Sequence, residues 1–363
     1  MGGNDAIRRV MDGSVWDEFC ERLKRAGRLV IDAAPEDAFE RAEGLRYVGR
    51  IARHALQNFI EESDPAAPVV TTGLPKLGGD NPDYVYAKAP LSGRFEYRLR
   101  GSRGDASYLG IGTYYGEIGT PEGLQCSGYI AGGNLETDAE GAFEILLSCA
   151  EKPGNWLPMR PETSQLMIRQ LLLDRRNQQP ASFHIERVDA GGTSGPLDPA
   201  RYAALIGRAG AYVEGAIAQF LQWSQTFASR PNQIRVLDEH LAAGARGDPR
   251  THYYAGYYAL ARDEALLIQL EPPRCEYWNL QLCNHWLESL DYWQHTIHVN
   301  HHTAIARADG SVRLVVAHRD PRVPNWLDTA GHSRGCIILR WVGTTEPYDP
   351  VCRVVRHTEI PRE

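Results

Sequence analysis

No stretch of the 363-residue sequence approaches the roughly 20 apolar residues that a helix needs to cross a bilayer. Lys and Arg form no block, and the formal net charge is −7. Neither nucleic acid nor an anionic membrane surface is therefore expected as a partner. Met1 to Arg9 are small or polar and contain no apolar core, so no secretory signal is expected. The seven cysteines are scattered, odd in number and without a Cys-x-x-Cys pair. They read as reduced, mostly buried thiols in a cytoplasmic protein. Nucleotide signatures are also missing. Gly110-Ile111-Gly112 lacks the rest of a dinucleotide fingerprint, and no Walker loop occurs. Gly192-Thr193-Ser194-Gly195 is one residue short of a nucleophile elbow. No cofactor is expected.

What is present is the composition of an ordinary globular chain, 43% hydrophobic and 23% charged, long enough for two compact domains. Residues 1–83 read as a helical segment followed by a loop. Trp16, Phe19, Cys20 and Leu23 recur at helical spacing. A longer helix begins near Pro35, with Glu36 and Asp37 at its positive end and a stripe through Phe39, Ala42, Leu45, Val48, Ala52, Ala55, Leu56 and Phe59. Residues 84–190 alternate as strands do, and Phe95, Tyr97 and Leu99 interleave with Arg94, Glu96 and Arg98. Residues 191–250 form a helical connector. Asp198 and Pro199 stand where an N-cap and a first-turn proline belong, ahead of a face from Tyr202 to Phe220. Strand patterning returns over residues 251–363.

The two β portions repeat one order of residues. Glu140-Gly141, a strand, Asn155-Trp156-Leu157, then a strand carrying Ile168-Arg169 make the first series. Asp309-Gly310, a strand, Asn325-Trp326-Leu327, then a strand carrying Leu339-Arg340 make the second. Upstream, Glu96-Tyr97 is matched with Glu276-Tyr277. The expected fold is α+β and mainly β: two similar β-sandwich or jelly-roll-like units, a helical segment before them and a helical insertion between them.

The run from Tyr277 to Trp341 includes Ala317-His318-Arg319-Asp320-Pro321 and Asn325-Trp326-Leu327-Asp328-Thr329-Ala330-Gly331-His332. It resembles the bacterial domain-of-unknown-function 1214 family, and the segment from Asp80 to Arg100 resembles the first half of its longer members more weakly. The resemblance implies a sandwich or jelly-roll-like fold, and it implies no reaction.

Candidate chemistry is sought where the copies differ. His318, Asp320, Asp328 and His332 stand opposite Cys149, Glu151, Pro158 and Glu162. His318 would emerge at the rim of a strand face, where a general acid or base can work. Asp291 and Tyr292 join these as catalytic candidates. His302, Asn300, Trp286 and Arg340 are candidate ligand-binding residues, Arg340 for an anion or carboxylate. His295, His298, His301 and His302 invite a metal, but residues four apart in a strand lie roughly 13 Å apart and adjacent ones face opposite ways, so no metal is expected. The leading expectation is an enzyme using acid–base chemistry on a small, partly apolar or hydroxylated molecule. The alternatives are a carbohydrate- or lipid-binding protein and a structural sandwich, with homo-oligomer formation left open.

Overall fold

In the computed structural model the chain is α+β and mainly β, with two similar sandwich units. Residues 3–175, 177–189, 195–244 and 247–362 are described; Gly192, Thr193 and Ser194 lie outside them. The chain opens with α1 (Gly3–Met11), α2 (Ser14–Ala33) and α3 (Ala38–Leu56). Asp37 caps α3 by accepting from the N–H groups of Phe39 and Glu40. A π-helical turn, Gln57–Glu61, continues it. Helix α3 buries Glu40, Gly44, Tyr47, Ile51, His54 and Ala55, whereas Phe39 and Leu45 of the expected stripe are 45% and 50% exposed. The helix is rotated toward its closest contact. A Cβ at Gly44 would stand 2.7 Å from the indole of Trp286 and 2.5 Å from Val30, so the backbone packs directly on that ring. Trp16 is likewise exposed, and α2 buries Val15, Phe19, Ala26 and Val30.

The first unit has β1 (Thr71–Thr72), β2 (Tyr84–Pro90), β3 (Tyr97–Ser102), β4 (Tyr108–Gly116), β5 (Leu124–Ala131), β6 (Ala142–Ser148), β7 (Trp156–Pro158), β8 (Gln165–Leu171) and β9 (Ser182–Arg187). Helix α4 (Pro199–Ala228) follows, capped by Asp198. Then come β10 (Gln233–Val236), α5 (Glu239–Ala243), β11 (Thr251–Ala259), β12 (Glu264–Leu270), β13 (Tyr277–Leu282), β14 (His298–Asn300), β15 (Val312–Ala317), β16 (Trp326–Asp328), β17 (Arg334–Val342) and β18 (Val351–Arg356). Sheets β1-β2-β8-β4-β5 and β7-β6-β3-β9 make one sandwich; β10-β11-β17-β13-β14 and β16-β15-β12-β18 make the other. The two orders match strand for strand. Each five-stranded sheet begins with a short strand, β1 or β10, upstream of residues 84 and 251.

Within each unit the two sheets close on an apolar core. Leu99, Ile111, Ile145, Leu147 and Ile168 are fully buried in the first, and Leu266, Leu280, Leu314, Val316 and Leu339 in the second. Each such side chain contributes about 1.5–3 kcal/mol relative to exposure. The Asn-Trp-Leu triplets occupy equivalent places. Asn155 accepts from Glu136 N–H and donates to the carbonyls of Glu136 and Glu144. Asn325 does the same with Ile305 and Arg313. The indoles donate to the carbonyls of Ser148 and Ala317. One pairing is corrected. Tyr97 lies on β3, which corresponds to β12, while Tyr277 on β13 corresponds to Tyr108 on β4, since each pairs opposite the end of its central strand, Leu171 or Val342.

The units join through a reciprocal exchange. Tyr108 of the first donates to Asp248 at 2.7 Å, just before β11. Tyr277 of the second donates to Asp83 at 2.7 Å, just before β2, and accepts from Asn81 at 3.1 Å. Asn81 and Asp248 make the same local turn, each accepting from the N–H two residues on. Tyr84, Tyr108, Leu171, Tyr277 and Val342 pack around the junction.

Burial would raise the Asp83 carboxyl, but hydrogen bonds from His298, Tyr277 and Asn300 hold it below the ordinary carboxylate value. A carboxyl lowered by folding stabilises the protein above its unfolded pKa, and that contribution is lost as pH falls through its folded value. The urea midpoint should therefore drop below about pH 4, and Asp83→Asn should flatten that drop. Tyr277→Phe should cost about 1–3 kcal/mol, seen as a lower midpoint at unchanged slope.

Candidate ligand cavity between the two units

Strand alternation sends one face of each five-stranded sheet into its own sandwich and the other toward the opposite unit. On β2 and β8 the second face carries Tyr84, Tyr86, Lys88, Met167 and Arg169; on β11 and β17 it carries Thr251, Tyr253, Ile338 and Arg340. These residues, α4, the end of α3 and the loop 74–80 enclose a cavity of about 1020 Å³. Arg169 and Arg340 hold equivalent positions, opposite Tyr86 on β2 and Tyr253 on β11. They are 6% and 5% exposed, and among the described residues no carboxylate forms an ion pair with either.

Arg169 donates through Nη1 to Tyr114 Oη at 2.7 Å, its one hydrogen bond among the described residues. A guanidinium carries five N–H donors, so most of its donors remain for the cavity. Arg340 is held more firmly: Nη1 donates to Gln281 Oε1 at 2.7 Å and Nη2 to the carbonyl of Gly79. Asp80, beside that carbonyl, turns its oxygens to Ser289 N and Oγ at 2.9 and 2.7 Å. Burial raises the Tyr86 phenol, and both Arg340 and Arg169 pull it back, which places Tyr86 in the field of both cations.

A second polar group comes from the π-helical turn. Lys88 Nζ donates to Asn58 Oδ1 at 2.6 Å and stands 3.7 Å from Glu62. Burial lowers its pKa. His54, one helical turn earlier, is driven by burial to about 3, so its imidazole is neutral. The rest of the lining is mixed: Leu77, Phe220, Trp223, Phe227 and Ile338 form an apolar wall, while Glu117, Glu162, Arg201, Arg208 and Asp248 also border the cavity.

Of the ten candidate site residues only Arg340 lines this cavity. His318 is a structural residue. Its Nε2 donates to the carbonyl of Leu260 and its Nδ1 accepts from Thr329. Cys149, which stands opposite it in the first unit, donates to the carbonyl of Gly93, whereas the residue that matches Leu260 is Leu91. Asp320 is exposed and accepts from Arg322 N–H. Asp328 accepts from His295, and His332 is buried against Glu40, tying β17 to α3. Asp291 is exposed and accepts from Trp293 N–H; Tyr292 lies beneath Lys76 and Arg175. Asn300 binds Asp83, His302 is exposed, and Trp286 is core. His298 is committed to Asp83, so the histidines do not converge. Among the described residues no three His, Cys, Asp or Glu are grouped to hold an ion. The thiols are less buried than expected: Cys283 and Cys336 are buried, while Cys20 and Cys149 are exposed.

The overlooked residues are Arg169, Tyr86, Lys88, His54 and Asn58, while Tyr253 belongs to the tyrosine-rich β segments where pocket-lining aromatics are expected. A signal for Arg169 was present in the repeat, which sets an arginine at one place in both copies within otherwise apolar strands. His318→Ala should cost about 1–3 kcal/mol of stability, measured by urea unfolding.

No family model matches the chain, and no curated protein matches it. Among the described residues no helix is long and apolar enough to cross a membrane. The VPA0106 protein of Vibrio parahaemolyticus is 12% identical over 84% of this chain and 96% of its own, with a TM-score of 0.52, and shares the fold. An uncharacterized protein from Burkholderia cenocepacia, known from its crystal structure, is 40% identical over 98% of this chain and 100% of its own, with a TM-score of 0.94. The chain belongs to the family of that Burkholderia cenocepacia protein.

Proposed function

We propose that the protein binds a small organic anion in the cavity between its units, with Arg169 as the main anion ligand and Arg340 as its positioned partner. The observation that carries this reading is the pair of equivalent, buried guanidiniums without a carboxylate partner among the described residues. A buried, unpaired charge is costly, and a guanidinium is suited to planar recognition of a carboxylate or phosphate. Tyr86 and Tyr253 add hydroxyl groups around the same end. Acid–base catalysis at His318 is not part of the proposal, because its ring nitrogens are committed to Thr329 and Leu260. The run from Tyr277 to Trp341 supports descent of the second unit from the domain-of-unknown-function 1214 family, and we propose that ancestry too.

Titration calorimetry with octanoate, and with octanol as the neutral control, tests the function. The wild type should favour octanoate, and Arg169→Gln should weaken it roughly 10- to 100-fold, the equivalent of a charged hydrogen bond of about 1.5–3 kcal/mol. Arg169→Met should lose binding yet unfold at a higher temperature than the ligand-free wild type, since it removes an unpaired charge from the interior. Equal octanoate affinity in wild type and Arg169→Gln contradicts the proposal.

A further inference from the structure

The cavity changes character within two residues of the arginines. On β17 the face that carries Arg340 next carries Ile338 and then Cys336, one position every two residues or roughly 6.6 Å. On β8, Arg169 is followed on the same face by Met167. Beyond Ile338 the wall is Phe220 and Trp223 of α4, packed edge to face with ring centroids 5.3 Å apart. The loop at Gly78 and Gly79 joins the two regions. Both glycines have positive φ, 59° and 74°, and pass close under the wall. A Cβ on Gly78 would stand 2.6 Å from Phe220, and one on Gly79 would stand 3.1 Å from Ile338 and 3.8 Å from Arg340 Nη2. The cationic and apolar surfaces are therefore continuous.

The volume sets the size of the occupant. About 1020 Å³ lies at the top of the roughly 300–1,000 Å³ range of ordinary small-molecule pockets, far more than a bare anion needs. An inorganic anion or a two-carbon acid would meet the arginines and leave the wall of Ile338, Phe220 and Trp223 untouched. The apolar wall and the buried guanidiniums together call for a molecule with both characters.

Resting on the anion-binding reading, we infer that the ligand is a single-headed anionic amphiphile. Its carboxylate or phosphate head lies at Arg169 and Arg340, and its extended apolar body lies along β17 and against α4. The polar group of Lys88, Asn58 and Glu62 is a separate corner of the same cavity and takes no part in holding the chain.

The test is a calorimetric series on the intact protein with acetate, hexanoate, laurate, dodecyl phosphate and dodecanol. Each added methylene should tighten carboxylate binding roughly fourfold until the wall is covered, the gain expected from burying one CH2. Laurate or dodecyl phosphate should bind far more tightly than dodecanol, and the order of the first two identifies the head group. Ile338→Ala should weaken laurate severalfold while leaving hexanoate less affected, with circular dichroism confirming the fold. Anion binding that depends on Arg169 but not on chain length overturns the amphiphile and leaves the anion site standing. Failure of every anion to bind overturns both readings, and tight dodecanol binding equal to that of laurate overturns the role of the head group.

Discussion

Two guanidiniums have been taken out of water between two β-sheets, and the architecture around them follows from keeping them there. Arg169 and Arg340 sit in central strands whose other residues are almost all buried. Among the described residues no carboxylate forms an ion pair with either, although Asp80, whose carboxyl feels the Arg340 charge, and Asp248 stand nearby. Those acids are occupied elsewhere, Asp80 by Ser289 and Asp248 by Tyr108. A buried cation without a direct ion pair reduces stability, and such sites persist in proteins where an interaction partner uses the charge.

Duplication accounts for the placement. One sandwich alone would present its five-stranded sheet, with an arginine in it, to solvent. Two related copies turn those faces toward each other and lock through the reciprocal Tyr108–Asp248 and Tyr277–Asp83 bonds. The sheets meet at that junction and diverge beyond it. The cavity between them is bordered by α4, whose Phe220 and Trp223 add an aromatic surface without hydroxyls to the sheets' tyrosines. The helical insertion is thus part of the cavity rather than a spacer, and α3 closes the structure by laying Gly44 on Trp286.

Much of the architecture could be read from residue order. The Asn-Trp-Leu turns mark equivalent positions because an asparagine there satisfies three backbone groups at once, a requirement that is local and hence visible. The Asp198-Pro199 start of α4 is visible for the same reason. The rotation of α3 was not, since it depends on an indole 242 positions away that selects the glycine face over the apolar one. Difference between the two units, taken as the mark of function, singles out residues none of which lines the cavity. His318 is held between Thr329 and the carbonyl of Leu260, away from the cavity, whereas Arg169 and Arg340 are alike and line it. Where two similar units face each other across a cavity, a charge present on both sides is a stronger signal than one present in a single unit.

A crystal structure of the protein grown with laurate tests the central claim most directly. The account predicts a carboxylate within hydrogen-bonding distance of Arg169 and Arg340, with the chain running past Ile338 toward Phe220 and Trp223. A cavity in which Arg169 instead closes onto a carboxylate of the protein, with laurate absent or bound elsewhere, would contradict it.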